Sequence, residues 1–155
     1  MNPFNIVLVA PEIPQNTGTI GRLAVSTDSV LHLIDPLGFS LEDKYLKRAG
    51  LDYWRYLDLH RYRDWTEFTD ALPDEARLFF FSTHGEHSFF DEKYRPGDYL
   101  VFGRESSGLP ADFYTRYRDD LRIIPMSGAH SRSLNLANAV SIVLYEALRQ
   151  TLYAK

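Results

Sequence analysis

Four polar segments contain the residues that could bind a ligand or take part in catalysis. They are PEIPQNTGTIGR (11–22), STHGEHS (82–88), GRESSGLP (103–110) and MSGAHSRSLNLAN (126–138). Each follows a short apolar run that is typical of a buried strand, and ligands of open α/β sheets bind at the carboxyl ends of the strands. We therefore expect these loops to meet at one site.

The common motifs for phosphate, metal and acyl-transfer chemistry are incomplete in these loops. Gly103 and Gly108 have the spacing of a P-loop, but Leu109 stands where the phosphate-binding lysine is required. His84 and His87 have an H-x-x-H spacing with neither an HExxH pattern nor a cysteine partner, so we predict no metal site. The serines of GRESSGLP lack the G-x-S-x-G elbow. The sequence disfavours an NTPase, a zinc enzyme and a serine hydrolase.

The segment SRSLNLANA places hydroxyl and amide side chains at the start of a helical pattern. We expect Ser133 to cap this helix, and Asn135 and Asn138 to lie in its first turn, where an amide satisfies the helix start or points at a ligand. Capping alone does not account for two asparagines, so Asn135 is a candidate functional residue. Glu105, a lone carboxylate between two glycines, is either a catalyst or a structural acceptor of backbone N–H groups.

The elements that position these loops alternate between strand and helix, which is the order of an α/β fold. We predict strands over 6–10, 30–34, 78–81, 99–102 and 121–124, with a further strand near 55–59. We predict helices over 17–28, 41–48, 64–72, 111–117 and 134–153. Because the apolar strands are short and continuous, the predicted fold is α/β with a mostly parallel sheet flanked by helices.

Length and composition predict one domain over 1–155. Of the 155 residues 45% are hydrophobic, and none is cysteine, which excludes thiol and disulfide chemistry and fits a cytoplasmic protein. The first apolar run is too short to cross a bilayer and lacks a basic flank, so we expect no membrane partner.

The formal charge of −4 argues against a nucleic-acid-binding protein, but this value is an average over the whole chain and the charges are unevenly distributed. Segment 44–63 carries six basic and two acidic side chains, a local charge of +4, with tyrosines and a tryptophan between them. This mixture suits phosphate contact and base stacking. Composition alone favours the alternative, a solvated helix followed by an aromatic strand packed on the core. The basic residues are Lys44, Lys47, Arg48, Arg55, Arg61 and Arg63.

Three segments together resemble the motifs of the SPOUT class of S-adenosylmethionine-dependent RNA methyltransferases. They are PQNTGTIGR, FGRESSGLP and SRSLNLANAVSIVLYEALR, in this order, and the resemblance covers essentially the whole chain. The chain is most similar to the short subgroup that methylates the ribose 2′-oxygen of the wobble nucleotide, position 34, in tRNA. The resemblance implies a deep C-terminal trefoil knot, which is a rare topology, a homodimer, and tRNA bound by the catalytic domain itself.

The resemblance also implies roles for individual residues. The cofactor-binding residues would be Phe81, Gly103, Ile124 and Ser133 at the adenosine, with Gly108 and Met126 nearby. The catalytic residues would be Asn16, Arg22, Glu105, Ser133 and Asn135. The reaction needs alignment and a proton acceptor but no metal. In enzymes of this class the corresponding arginine is often described as the acceptor of the hydroxyl proton. Because a guanidinium stays protonated, we expect Arg22 instead to hold the target phosphate and stabilise the developing alkoxide.

We expect Arg22, Lys47, Arg48 and Arg55 to contact RNA. Two departures from the family pattern bear on the cofactor loops: Arg104 stands at a position that is usually small or proline, and His130 accompanies an apparent extra residue. The alternatives are a non-catalytic RNA-binding or tRNA-chaperone module on the same fold, and a 2′-O-methyltransferase for another position in tRNA or in ribosomal RNA.

Overall fold

The computed structural model describes residues 4–155, and its centre is one parallel sheet. Seven strands lie in the order β3-β2-β1-β6-β4-β7-β5, and every strand pair is parallel. The strands are β1 (Asn5–Val9), β2 (Val30–Ile34), β3 (Leu59–Tyr62), β4 (Leu78–Phe81), β5 (His87–Ser88), β6 (Tyr99–Phe102) and β7 (Leu121–Ile123). The prediction of a mostly parallel α/β sheet is confirmed.

Five α-helices cover the two faces of this sheet. They are α1 (Pro14–Ser26), α2 (Lys44–Gly50), α3 (Trp65–Asp70), α4 (Phe113–Arg116) and α5 (Leu136–Thr151). Short 3₁₀ helices occupy Leu51–Tyr56, Phe89–Asp91 and Arg118–Asp120. Alternate residues of β1 face opposite sides, as the pleat requires. Ile6 and Leu8 pack in the core with α1 and α5, whereas Val7 and Val9 pack in the core with α3 and α4.

The predicted starts of α1, α2 and α5 are wrong by two or three residues, and local capping explains them. Helix α1 begins at Pro14 rather than residue 17, since proline is well suited to the first helical position, where no N–H is needed. Helix α2 begins at Lys44 rather than residue 41, since the side chain of Asp43 caps it by accepting the Tyr45 N–H over 2.8 Å.

Helix α5 is capped by Asn135, whose Oδ1 accepts the Asn138 N–H over 3.2 Å. Ser133 therefore precedes the helix and is not its cap.

The strand predicted near 55–59 is also misplaced. Most of that range belongs to the 3₁₀ helix Leu51–Tyr56 and the two residues after it, and β3 begins only at Leu59. The cause is packing of Trp54 against α1: its indole Nε1 donates to the Gly18 carbonyl over 3.2 Å. The ring also fills the space that a Cβ on Gly21 or Gly50 would need. Tertiary contact thus overrides the strand propensity of the aromatic residues.

The remaining differences are shorter elements at the ends of the sheet. Helix α4 spans four residues instead of the predicted seven. Strand β5 has only two residues, too few for a periodic pattern, and was not predicted. No helix within residues 4–155 combines the length and hydrophobicity needed to cross a bilayer. The knot stays a prediction, because strand order does not define how the loops thread.

Candidate active site

A cavity of about 490 Å³ lies at the carboxyl ends of β4, β6 and β7. Its walls come from the loops after these strands and from the starts of α1 and α5. Every residue predicted to bind the cofactor lines it: Phe81, Gly103, Gly108, Ile124, Met126 and Ser133. Asn16, Glu105 and Asn135 line it too. The structure thus brings together all the predicted catalytic and cofactor-binding residues except Arg22.

Asn16 and Asn135 join the first and third motifs inside this cavity. Asn135 Nδ2 donates to Asn16 Oδ1 over 3.0 Å, across 119 residues of sequence. Asn16 is 8% exposed, so burial limits the orientations of its amide. Because Asn135 also caps α5, one side chain fixes both the helix start and the orientation of Asn16.

Glu105 binds the backbone at the entrance of α1. Its two carboxylate oxygens accept the N–H groups of Glu12 and Ile13 over 2.7 and 3.2 Å. Ile13 is the N-cap of α1 and cannot cap with its own side chain. A glutamate usually makes this bond from the third helical position of its own helix, whereas Glu105 makes it from the loop after β6. Of the two roles left open by the sequence, the structure displays the structural acceptor.

Glu12, in turn, binds the loop after β6. Its Oε1 accepts both the N–H and the hydroxyl of Ser106, over 2.9 and 2.6 Å, and lies 3.3 Å from Arg104 Nε. The hydrogen bonds from Ser106, together with the nearby guanidinium, lower the pKa of the Glu12 carboxyl group. Glu105 of the loop after β6 thus binds the entrance of α1, and Glu12 at this entrance binds the loop after β6. Glu12 was not predicted, although it stands in the first motif beside two prolines.

Two glycines let the loop after β6 fold back on itself. Arg104 and Gly108 exchange backbone hydrogen bonds of 3.0 and 2.9 Å. A Cβ on Gly103 would lie 2.0 Å from the Gly108 carbonyl carbon, so only glycine fits there. Gly108 has a φ of +74°, which a side chain would strain. The pair that resembled a P-loop in spacing instead forms a tight turn at the cavity wall.

Arg22 lies outside the cavity of its own chain. It is exposed on α1, and its guanidinium carbon stands 5.2 Å from the centre of the Tyr53 ring. This distance is typical of a cation–π contact. The side chain is therefore held beside the 3₁₀ helix Leu51–Tyr56, on the surface that carries the basic segment.

The basic segment forms an outer surface with exposed tyrosines. Lys44 and Arg48 lie 5.0 and 6.0 Å from the ring of Tyr45, and Arg55 lies 4.8 Å from the ring of Tyr56. Tyr45, Tyr53 and Tyr56 are 43%, 36% and 68% exposed. We name the set Arg22, Lys44, Tyr45, Arg48, Tyr53, Arg55 and Tyr56 the basic-aromatic surface.

Other cations of the segment contact carboxylates instead. Lys47 pairs with Glu42, and Arg61 Nε donates to Asp35 over 2.8 Å. Of the residues predicted to contact RNA, Arg22, Arg48 and Arg55 therefore lie against aromatic rings, whereas Lys47 has an acidic partner.

His84 and His87, which the sequence singled out for their spacing, take different positions. His84 lines the cavity and makes an edge contact with Tyr114, with ring centres 5.8 Å apart. His87 lies in β5 at the edge of the sheet. Within residues 4–155, no three His, Cys, Asp or Glu side chains cluster in the way that a metal ion needs. Tyr114 also lines the cavity. It was not predicted from the sequence, because no motif surrounds it.

Known proteins are similar to this chain in sequence and fold. The model of the SpoU rRNA Methylase family matches residues 3–145. The chain is 50% identical over 149 residues to the tRNA (cytidine(34)-2'-O)-methyltransferase of Burkholderia ambifaria, with 95% of each chain covered.

Two solved structures extend the comparison. One, described as "Structural insights into the 2-OH methylation of C/U34 on tRNA", is similar with a TM-score of 0.91 and 50% identity over 95% of both chains. The other is the SpoU Methyltransferase AviRb from Streptomyces viridochromogenes in complex with the cofactor AdoMet. It has a TM-score of 0.81 and 28% identity over 97% of this chain and 58% of AviRb.

Proposed function

Because the chain belongs to the SpoU rRNA methylase family, we propose that it methylates the ribose 2′-hydroxyl of nucleotide 34 in tRNA, with S-adenosylmethionine as methyl donor. The observation that carries this proposal is the single cavity in which Asn16 and Asn135 meet between the loops of the three motifs. The half-identical relative from Burkholderia ambifaria supports the choice of tRNA and of position 34.

The cavity fits the proposed cofactor in size and in lining. Its volume of about 490 Å³ lies in the range of small-molecule sites. Phe81, Ile124 and Met126 supply apolar contacts for the adenine, and the backbone of the turn between Gly103 and Gly108 supplies polar groups. Glycine at both positions lets this turn form at the cavity wall. When bound, the cofactor supplies a methyl group on a positively charged sulfur.

We assign the protein side chains to orientation rather than to covalent chemistry. Asn16 and Asn135 would orient the ribose hydroxyl, since amides offer both a donor and an acceptor. Ser133 is an exposed residue of the cavity wall and would contact the cofactor from the loop before α5. Glu105 would act as a positioning residue, because both of its oxygens already bind backbone N–H groups.

The role of Arg22 requires a second molecule at the cavity. Because Arg22 is not among the residues that line the cavity of its own chain, bound RNA or a second copy of the protein would bring substrate and guanidinium together. A permanently charged guanidinium then suits phosphate binding and stabilisation of the developing alkoxide.

We propose that the second copy binds through α5. Helix α5 carries apolar residues on two sides: Ala137, Leu144 and Leu148 are buried in the core of the chain itself. Ile142 and Tyr145, three residues apart on the helix, are 40% and 50% exposed. Sedimentation at micromolar concentration would show a dimer, and replacing Ile142 by Glu would give a monomer. A wild-type monomer would remove this part of the proposal.

We place the protein in the cytoplasm, where tRNA is available, and place tRNA on the basic-aromatic surface. The test is incubation with radiolabelled cofactor and an unmodified tRNA, followed by mapping of the labelled nucleotide. We expect label on the ribose of nucleotide 34. A folded protein that binds the cofactor without methylating tRNA would support a non-catalytic RNA-binding role. Label at another tRNA position, or in a ribosomal RNA fragment instead, would overturn the choice of substrate.

A further inference from the structure

We propose that Arg104 binds an anionic oxygen group at the candidate cofactor cavity. The anion is either the carboxylate of the cofactor or a phosphate of the target RNA, which present the same chemistry to a guanidinium. This inference rests on the proposed function for the identity of the two ligands. It assigns Arg104 a specificity-determining role.

The cavity wall has one permanent positive charge among the residues that the structure describes. Arg104 is its single Arg or Lys, and the side chain of Arg104 is 39% exposed. The carboxylate of Glu105, in the same wall, is occupied by two backbone N–H groups. An anionic group that enters the cavity therefore finds its complementary charge at Arg104.

The guanidinium of Arg104 keeps unused hydrogen-bonding capacity. Its acidic neighbour in residues 4–155 is Glu12, 3.3 Å from Nε, but the alignment is too poor for a hydrogen bond and leaves the buried Nε without one. Glu12 Oε1 already accepts two hydrogen bonds from Ser106. Glu12 thus holds the buried Nε of Arg104 by charge, while the two Nη groups, which have no acceptor within residues 4–155, stay available to a ligand at the cavity.

The position of Arg104 is fixed before any ligand binds. Its backbone N–H and C=O both pair with Gly108, in the turn that Gly103 makes possible. Because the backbone is held and Glu12 restrains Nε, binding an anion would restrict only the outer part of the side chain. Such preorganisation lowers the entropic cost of binding.

Calorimetry with two probes tests the carboxylate. S-Adenosylhomocysteine carries the amino-acid carboxylate, whereas 5′-methylthioadenosine lacks it. If Arg104 binds the carboxylate, Arg104→Met should weaken S-adenosylhomocysteine binding about 10- to 100-fold and leave methylthioadenosine binding unchanged. Arg104→Lys should recover part of the loss because it keeps the charge. Arg95→Met, an exposed arginine before β6 at the other end of the strand, serves as the matched control.

Steady-state kinetics with tRNA tests the phosphate. If Arg104 binds a phosphate, Arg104→Met should leave S-adenosylhomocysteine binding unchanged, raise KM for tRNA about tenfold and lower the salt slope of tRNA binding by about one. The proposal is overturned if Arg104→Met matches wild type in both assays, if Arg95→Met shows the same losses, or if methylthioadenosine binding falls as much as that of S-adenosylhomocysteine. Failure of the wild-type protein to bind either probe or to methylate tRNA would instead contradict the proposed function.

Discussion

Asn135 donates a hydrogen bond from Nδ2 to Asn16 Oδ1 over 3.0 Å, and its other amide atom caps α5. The two polar atoms of one amide therefore have different partners. The oxygen accepts an N–H of its own helix, and the nitrogen orients a side chain of α1. A serine or an aspartate could perform the first task, but neither offers an N–H for the second. This combination accounts for asparagine at position 135.

We expect Asn135→Asp to separate the two tasks. Aspartate caps helices as well as asparagine does, so the free energy of unfolding should stay within about 1 kcal/mol of wild type. Its carboxylate faces an acceptor, so Asn16 must turn its amide over and reverse the polarity it presents to the cavity. Methyl transfer should fall about tenfold or more. Asn135→Ala, which loses both tasks, should also lose about 1 kcal/mol of stability in urea. Wild-type activity in the aspartate variant would contradict this role for Asn16.

Glu105→Gln should act mainly on stability. A neutral amide can accept only one of the two N–H groups that Glu105 now binds, and its NH₂ group would face the other donor. We expect a loss of about 1–3 kcal/mol in urea unfolding, with faster hydrogen exchange at the amides of Glu12 and Ile13. Glu86→Gln, at an exposed loop position, is the control. Full stability combined with abolished turnover would mean that Glu105 is the proton acceptor instead.

The sequence predicts the site better than it predicts the elements around it. Phe81, Gly103, Ile124 and Met126 lie at or just after the end of an apolar strand, and parallel topology brings such positions together whatever the exact bounds of the helices. Position 133 shows the limit of local patterns. Ser133 and Asn135 both fit a helix start, and what distinguishes Asn135 is its additional contact with Asn16, 119 residues away. Glu12 was missed for the same reason, since its partners lie 94 residues away.

Trp54 shows a second limit of prediction from local sequence patterns. Its neighbours in the sequence favour a strand, but Gly21 and Gly50 leave room for its ring between α1 and α2, and the Gly18 carbonyl accepts its indole N–H. No single-sequence pattern relates Trp54 to Gly18 and Gly21, which lie more than thirty residues away. The same packing holds Tyr53 beside Arg22, and so the position of the predicted RNA-binding arginine could not be deduced from its own motif.

Gly103→Ala should prevent the turn at the cavity wall from closing. The new Cβ would lie 2.0 Å from the Gly108 carbonyl carbon and 2.2 Å from the Leu109 nitrogen, which are backbone atoms that cannot rotate away. We expect a loss of about 3 kcal/mol or more and no measurable binding of S-adenosylhomocysteine. Gly128→Ala is the matched control, because its Cβ would have no neighbour closer than 4.0 Å. Thermal unfolding and calorimetry of both variants measure the difference, and equal stability would show that the loop rearranges.

Acid should destabilise the protein through His32, which lies in the sheet away from the cavity. Burial, with a smaller contribution from His60, lowers the pKa of His32 from 6.5 to about 4. Its two ring nitrogens lie 2.9 Å from the Tyr62 hydroxyl and from Asn5 Oδ1, so a neutral ring satisfies both partners. The unfolded chain takes up the proton near pH 6.5 and the folded chain only near pH 4. Stability due to His32 is therefore complete above pH 6.5 and falls by about 3 kcal/mol toward pH 4.

Urea unfolding between pH 7.5 and 4 measures this dependence. His32→Gln should be less stable at pH 7.5, because it fits the two partners less well, and should lose less stability on acidification. His130→Gln, on an exposed loop, should keep the wild-type slope. If the His32 variant keeps the wild-type slope as well, other groups cause the acid sensitivity.

The cations beside tyrosines should contribute more to tRNA binding than the cations paired with carboxylates. Arg48 and Arg55 lie against Tyr45 and Tyr56, so they can turn to a phosphate without breaking an ion pair, whereas Lys47 must leave Glu42. Exposed rings beside them offer stacking surfaces for bases, each worth about 1–3 kcal/mol. The double variant Arg48→Gln, Arg55→Gln should therefore weaken tRNA binding at least tenfold and lower its salt slope by about two.

The matched double variant Lys47→Gln, Arg61→Gln removes the same charge from the same segment but breaks two ion pairs with Glu42 and Asp35. We expect a smaller effect on the affinity and on the salt slope, because these lysine and arginine side chains are already neutralised locally. Filter binding at several salt concentrations compares the two variants directly. Equal losses would mean that the net charge of segment 44–63 determines tRNA binding and that the tyrosines do not. If neither variant loses affinity, tRNA binds another face of the protein, and the +4 charge of this segment contributes only to its solvation.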